Sequence, residues 1–207
     1  FKVLFTFIKE GTRKPSSPFI TSSLQQEASS KLGYNVKRTM SIAQKLYEKG
    51  LITYMRTDST NLSKDALKDC KIYIEGKFGE EYYQERIYSK KSKNAQEAHE
   101  AIRPTNIAKD KVSLLEEENK LYNLIWKQTV ASQMASAKVN TIYIQISISN
   151  QKKYYFESSL EEIIFLGFLK LFGQEITKVE NIPKKNDSLT YKKITANQEF
   201  TKSIGRY

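Results

Sequence analysis

The sequence predicts an α+β fold in which a helical domain is inserted into a β-rich domain. Apolar residues alternate with a period of two near the start of the chain and again from about residue 139, whereas the intervening stretch shows helical spacing. The chain has 207 residues, of which 39% are hydrophobic, so it can bury a core. We therefore expect a β-rich domain made from 1–16 and 139–207, and a helical domain over 17–138.

The first elements are a strand and a capped helix. Residues 1–8 alternate and predict a strand, and residues 10–18, with one glycine and two prolines, predict a linker. Ser22 and Gln25 have the spacing of a capping box, and Gly33 ends the helix that follows. The alternation places four residues on one face of the strand: Phe1, Val3, Phe5 and Phe7.

A second helix and a short strand come next. Asn35 caps the helix, Gly50 ends it, and residues 51–55 form the strand. A helix, a turn, a helix and a strand within about forty residues resemble a winged helix-turn-helix, although many small α+β units share this spacing. The second helix carries one apolar stripe: Val36, Met40, Ala43 and Tyr47.

The rest of the helical domain contains two further helices. Ser63 caps one over 63–77, and Ser113 with Glu116 predicts a capping box for a long helix that ends near Met134. Residues 95–102 predict a short helix or turn that a proline stops.

The C-terminal part of the sequence returns to β structure. Residues 142–148 and 153–160 predict a hairpin, and residues 189–196 predict a last strand. Residues 163–172 are apolar and fit either a strand or a helix.

Charge and cysteine content limit the classes of partner and compartment. The formal net charge of +11 favours a polyanion, with nucleic acid first and an anionic membrane surface second; solubility alone is the plain alternative. Cys70 is the single cysteine, which excludes an intrachain disulfide and fits a cytoplasmic protein. No apolar run approaches 18 residues. The chain starts without methionine, and we expect it to be a fragment.

Tyr54 and Arg56 are the leading candidates for chemistry. In an extended strand they project from the same face, which sets a phenol beside a bidentate phosphate binder. A tyrosine phenol ordinarily has a pKa near 10, so it needs a base or a positive field to act as a nucleophile. The alternatives are a packed tyrosine and an arginine in a surface salt bridge.

Three further residues have weaker roles in this interpretation. Asp58 sits in a run of turn-forming residues, so we expect it to fix the turn and orient Arg56; no second carboxylate lies at metal-ligand spacing nearby. His99 and Arg103 are candidate phosphate contacts, or members of a solvated, salt-bridged helix end.

Basic pairs spread over both predicted domains fit a phosphate-tracking surface. They are Arg13-Lys14, Lys37-Arg38, Lys90-Lys91, Lys152-Lys153, Lys184-Lys185 and Lys192-Lys193.

Three motifs, in this order, resemble the type IA DNA topoisomerases. They are residues 18–26 (PFITSSLQQ), residues 46–59 (LYEKGLITYMRTDS) and residues 96–104 (QEAHEAIRP). At the position after Tyr54, Met55 resembles the bacterial topoisomerase I subgroup more than topoisomerase III or reverse gyrase, which tend to carry other residues there. The resemblance is close from about residue 15 to 137 and thins beyond it.

The resemblance implies a mechanism and its missing parts. Tyr54 would attack a DNA phosphate to give a 5′-phosphotyrosine, and strand passage followed by religation would relax negative supercoils without ATP. Arg56 would contact the scissile phosphate, and His99 would contact the DNA backbone. Mg²⁺ would be held by an acidic cluster in an N-terminal Toprim domain that this sequence lacks, and a C-terminal DNA-binding domain is also expected, so we expect little cleavage from this chain alone.

Two other functions remain open from the residues. One is a non-catalytic winged-helix DNA-binding module, in which Tyr54 belongs to the core. The other is a fragment of a phosphotyrosine-forming recombinase or relaxase, which ranks last because the sequence lacks the histidine and arginine array of those enzymes.

Overall fold

The structure is a computed structural model that describes residues 1–88, 100–112, 115–148, 151–190, 192–193 and 195, and the side chains of all of these except 151–153. Helices and strands are both present, which confirms a mixed α and β fold. The strands are β1 (Val3–Arg13), β2 (Ala137–Ile148) and β3 (Gln151–Phe165). The helices are α1 (Thr21–Leu32), α2 (Val36–Glu48), α3 (Lys64–Phe78) and α4 (Glu116–Ser132). Two 3₁₀ turns span Glu80–Tyr82 and Gly167–Phe172.

The three strands form one sheet in the order β1-β2-β3. β2 and β3 are hydrogen-bonded neighbours joined by two residues, which requires the antiparallel hairpin that the sequence predicted. β1 continues through Arg13, so residues 10–13 of the predicted linker are strand. Pairing with β2 overrides the local turn signals, as tertiary context often does for strands. The undecided stretch 163–172 contains the end of β3 and the second 3₁₀ turn.

The described chain divides into two compact units. The first unit comprises 1–9, 140–162 and 179–207, and its core contains Val3, Ile142 and Ile144. Phe5 and Phe7 stack on each other, as expected for two residues on one face of the strand, and unlike Val3 both are exposed. The described residues of 189–196 form no strand; an isolated bridge joins Ser188 to Lys2 instead.

The second unit comprises 10–139 and 163–178, and it holds the main core. Helices α1, α2 and α4 pack on one another. The sole tryptophan, Trp126 of α4, lies in this core and donates a hydrogen bond from its indole N–H to the Ile107 carbonyl at 2.9 Å. Its fluorescence will therefore report on this unit. Large buried members of the core include Leu24, Leu46, Ile74, Leu121 and Ile125.

Helix boundaries confirm some predicted caps and correct others. Asn35 and Ser63 cap α2 and α3 as expected. Gly33 ends α1 at φ +67°, a conformation that favours glycine. The capping box of Ser22 and Gln25 is wrong, because α1 begins at Thr21 and the Ile20 N–H donates to Ser23 Oγ at 3.0 Å.

The second predicted capping box is also wrong. The cap residue of α4 is Leu115 and Glu116 is the first helical residue, so Glu116 is not the third residue after a cap. Ser113 lies outside the described residues. The same is true of residues 95–99 in the predicted short helix, and residues 100–102 form no helix; Ile102 bridges to Phe19 instead.

The buried side of α2 differs from the predicted stripe. Its buried residues are Thr39, Ile42, Ala43 and Leu46. Val36 and Tyr47 are exposed. Both sets satisfy helical spacing, so spacing alone cannot choose between them. Thr39 enters the core because its hydroxyl donates to the Asn35 carbonyl at 3.0 Å and is satisfied there.

Candidate active site

The segment that carries Tyr54 is fixed by one short pairing on its N-terminal side. Ile52 bridges to Pro104, with the Thr53 N–H donating to the Arg103 carbonyl at 2.9 Å. The predicted strand over 51–55 is wrong, because no ladder extends from this bridge. The next pairing is made by a side chain: the Thr53 hydroxyl donates to the Ala101 carbonyl at 2.6 Å and accepts from the Arg103 N–H at 2.9 Å.

Thr21 fixes the other side of the same segment. Its hydroxyl donates to the Met55 carbonyl at 2.8 Å and accepts from the Thr57 N–H at 2.9 Å. Its backbone N–H donates to the Thr57 carbonyl at 2.9 Å. The first residue of α1 therefore holds the backbone on both sides of Arg56.

Exposure alternates along this segment although no strand ladder is present. Met55 and Thr57 are buried, whereas Tyr54, Arg56 and Asp58 are exposed. The buried Met55 packs in the main core and anchors the segment there. The phenol and the guanidinium therefore both project away from the core.

Arg56 and Asp58 line an open cleft at the beginning of α1, with a cavity volume of about 470 Å³. The first turn of α1 contains no acidic residue, so the partial positive charge of the helix start is not neutralised there. Backbone N–H groups of a first helical turn have no partner within the helix. The cleft thus combines a guanidinium with a helix start, and both favour an anion.

The Tyr54 side chain is 44% exposed. Within the part of the chain that the structure describes, its hydroxyl makes no hydrogen bond. Its ring packs against that of Tyr47, whose centroid lies 5.3 Å away at an interplanar angle of 64°. The phenol oxygen is therefore available to a ligand.

Arg103 forms a mostly buried ion pair with Glu100. Its Nη2 is 2.7 Å from Glu100 Oε2, its Nη1 donates to the Pro104 carbonyl at 3.0 Å, and only 15% of its side chain is exposed. Burial acts to raise the pKa of Glu100, but hydrogen bonds from Ser63 and Arg103, with the guanidinium charge, outweigh it and hold that pKa below its ordinary value. Glu100 also accepts from the Ser63 N–H at 2.7 Å, which links the ion pair to the start of α3. His99 lies outside the described residues.

Sequence reasoning missed Thr21, Thr53 and Glu100 as residues that hold the segment. Each forms hydrogen bonds to residues between 34 and 50 positions away in the chain. Hydrophobic periodicity carries no signal for such bonds. The clustering of threonines within the shared motifs was the available hint.

The described residues of the site offer no ligand set for a metal ion. No group of three or more histidine, cysteine, aspartate or glutamate side chains is placed to hold one among the residues described. Asp58 is the single carboxylate that lines the cleft, and the cationic Arg56 lines it as well, which disfavours a metal cation there. No helix among the described residues is long and apolar enough to cross a membrane.

The sequence matches the family model described as DNA topoisomerase over residues 2–207. A protein of Acanthamoeba polyphaga mimivirus named DNA topoisomerase 1 type prokaryotic is 43% identical, over 96% of this chain and 26% of the relative. DNA topoisomerase 1 of Rickettsia felis is 44% identical, over 96% of this chain and 28% of the relative. The chain thus spans about a quarter of the length of these curated relatives.

A solved structure gives the same result for the fold. Full-length topoisomerase I from Thermotoga maritima superposes with a TM-score of 0.75 and 36% sequence identity, over 89% of this chain and 32% of that chain. The resemblance carried by the three sequence motifs is therefore confirmed. This chain belongs to the DNA topoisomerase family that includes the bacterial DNA topoisomerase I enzymes.

Proposed function

We propose that this chain supplies the nucleophile of a type IA DNA topoisomerase, which cleaves one DNA strand, passes a strand through the gap and religates it, relaxing negative supercoils without ATP. The observation that carries the proposal is the Tyr54 phenol. It is exposed and free of protein hydrogen bonds in the described structure, two residues before the exposed Arg56, on a segment whose backbone is fixed from both sides.

The proposed step is a transesterification. The Tyr54 oxygen forms a bond to a backbone phosphorus, and the bond from that phosphorus to the 3′ oxygen breaks. The products are a 5′-phosphotyrosine and a free 3′-hydroxyl, with the phenol proton transferred overall to the leaving oxygen. Because one phosphodiester replaces another, the reverse attack by the 3′-hydroxyl reseals the strand without an external energy source.

Arg56 is proposed to hold the scissile phosphate, and the cleft that it shares with the start of α1 gives that phosphate a place to sit. Asp58 is proposed to fix the turn and orient Arg56. His99 is proposed to contact the DNA backbone. Arg103 is held by Glu100, so its contact with a DNA phosphate requires the phosphate to replace that carboxylate. Until then its role is to hold the segment that pairs with Thr53.

The proposed domains follow the sequence prediction. Residues 17–138 would form a helical, winged-helix-like tyrosine domain, and 1–16 with 139–207 would form a β-rich arch. The order α1, α2 and then the Tyr54 segment supports a winged-helix-like arrangement, although that segment is a bend with one bridge rather than a strand.

The Mg²⁺ implied by the family is proposed to bind outside the described residues, in an acidic Toprim domain. The DNA partner is proposed to contain single-stranded segments, and the protein to act in the cytoplasm, which its single buried cysteine fits.

One experiment separates this proposal from a non-catalytic winged-helix DNA-binding module. The matching segment of Thermotoga maritima topoisomerase I is replaced by this chain, and the chimera is mixed with 5′- or 3′-labelled single-stranded DNA and Mg²⁺ and then denatured. We expect a covalent adduct that Tyr54→Phe abolishes and that Tyr34→Phe, a tyrosine buried in the core, leaves intact. DNA binding without any adduct, in a chimera that is folded, would support the binding module instead.

The chain on its own should bind DNA but cleave it poorly. Because its net charge is +11, binding should weaken by at least tenfold between about 50 and 200 mM salt. Affinity that is flat over this range would contradict the basic surface. Robust Tyr54-dependent cleavage by the chain alone would contradict the proposed division of the site.

A further inference from the structure

The backbone around Tyr54 is fixed by hydrogen bonds, whereas its side chain makes none among the described residues. An exposed tyrosine without a hydrogen bond to the protein can occupy several χ1 wells. Tyr54 is 44% exposed, and its hydroxyl has no partner among the described residues. A nucleophile with this freedom would point at the phosphate for only part of the time, and its rate would fall in proportion.

Tyr47 is the side chain placed to restrict that freedom. Its ring lies at 5.3 Å and 64° from the Tyr54 ring, within the edge-to-face range that aromatic pairs favour. The turn between the two residues is itself hydrogen-bonded. The Gly50 N–H donates to the Tyr47 carbonyl at 2.8 Å, and the Leu51 N–H donates to the Leu46 carbonyl at 2.9 Å. These two hydrogen bonds fix the backbone between Tyr47 and Tyr54.

The turn is also attached to α4. Lys49 Nζ lies 2.6 Å from Glu118 Oε2, and the Glu118 side chain is only 2% exposed. Gly50 adopts φ +68°, where a side chain would be strained. These features fix the end of α2, and with it the Cα of Tyr47, relative to the helical core.

Tyr47 is not needed to fill that core. Its side chain is 41% exposed, and the buried residues of α2 lie at other positions. No hydrogen bond from its hydroxyl is found among the described residues. A large aromatic ring half in solvent, with its ring contact to the exposed Tyr54, is better explained by what it does to that neighbour than by stability.

We propose that Tyr47 is a positioning residue for Tyr54, and that contact with its ring selects one rotamer of the exposed Tyr54 side chain. This inference rests on the proposed role of Tyr54 as the nucleophile. An aromatic pair of this kind biases its partner by about two- to tenfold in population, from the usual strength of edge-to-face contacts. Because the contact is made by the ring, phenylalanine at position 47 should preserve it, and alanine or leucine should not.

The first test does not depend on activity. The chain is labelled with ¹³C,¹⁵N-tyrosine, the Tyr54 signals are assigned with Tyr54→Phe, and three-bond couplings report its χ1 populations. We expect one dominant rotamer in the parent chain and in Tyr47→Phe, and averaged couplings in Tyr47→Ala and Tyr47→Leu. Unchanged couplings in Tyr47→Ala, or averaging in Tyr47→Phe equal to that in Tyr47→Ala, would overturn the proposal.

The second test follows the reaction in the chimera with Thermotoga maritima topoisomerase I. Single-turnover adduct formation at saturating DNA should slow by about two- to tenfold in Tyr47→Leu, with unchanged DNA affinity and full recovery in Tyr47→Phe. Trp126 fluorescence during urea unfolding checks that the variant is folded. A loss confined to DNA affinity would overturn the positioning role. If Tyr54 gives no adduct in the parent chimera, the proposed function fails, whereas the rotamer test still decides whether Tyr47 holds Tyr54.

Discussion

Replacing Thr21 by valine removes one hydroxyl that holds the backbone on both sides of Arg56. The hydroxyl donates to the Met55 carbonyl at 2.8 Å and accepts from the Thr57 N–H at 2.9 Å, and both of those residues are buried. Valine has nearly the same shape, so the change leaves two backbone groups without partners and little else. Unsatisfied buried groups cost about 1–3 kcal/mol each. Because the adjacent cleft admits water, we expect a total loss of about 2–3 kcal/mol in the free energy of unfolding.

The assay is urea unfolding followed by the fluorescence of Trp126, which lies in the same compact unit as Thr21. With a slope of about 2 kcal/mol per molar urea, the midpoint should fall by about 1–1.5 M. Thr21→Ser keeps the hydroxyl and should lose less than about 1 kcal/mol. Ser22→Ala, at the exposed neighbouring position, should change little. Equal effects of valine and serine, or no effect of valine, would refute the bridging role.

Three further predictions concern the same unit. Lys49→Met leaves the buried Glu118 carboxylate unpaired and should cost about 2–3 kcal/mol, less than a fully buried pair because Lys49 is half exposed. Lys120→Met, in the exposed pair with Glu116, should leave the urea midpoint almost unchanged, and equal midpoint shifts in the two variants would contradict the difference in burial. Gly167→Ala should lower the free energy of unfolding by about 3 kcal/mol or more, because φ is +48° and a Cβ would lie 2.6 Å from the Ser136 carbonyl carbon. Gly76→Ala, inside α3, should raise the free energy of unfolding by up to about 1 kcal/mol. A thermal unfolding midpoint of Gly167→Ala equal to that of the parent chain would be inconsistent with this geometry. The pKa of Glu100 is depressed in the folded chain, so the ionised carboxylate contributes to folding stability above its ordinary pKa of 4.5, and this contribution is lost as pH falls below that value. The stability difference between the parent chain and Glu100→Gln should therefore shrink from pH 6 to pH 3. A difference that does not change with pH would rule out the ionised pair.

Local rules predicted much of the fold because the deciding signals were themselves local. Asn35 and Ser63 carry side-chain oxygens at helix starts, and Gly33 takes a positive φ at a helix end. The hairpin of β2 and β3 followed from a change of period to two. Errors arose where distant residues decide the outcome, as when pairing with β2 extended β1 to Arg13.

The candidate site shows the same division. The motif around Tyr54 led to its prediction as the nucleophile, and the alternation of exposure around it agrees with an extended segment even though the strand itself is absent. The bonds that fix the segment come from Thr21 and from the residues around Arg103, far away in the chain. The phase of α2, which brings Tyr47 beside Tyr54 rather than into the core, also required packing that spacing does not encode.

The most direct test of the central claim is to locate the DNA linkage by mass spectrometry. Trypsin cuts after Lys49 and Arg56, so the peptide 50–56 contains Tyr54 as its single tyrosine, and Tyr47 falls in a different peptide. The denatured adduct of the chimera is digested with nuclease and trypsin. We predict that a 5′-nucleotide phosphate is attached to peptide 50–56, and that Tyr54→Phe abolishes it. A nucleotide on any other peptide, or DNA released without a covalent link, would contradict the assignment of Tyr54 as the nucleophile.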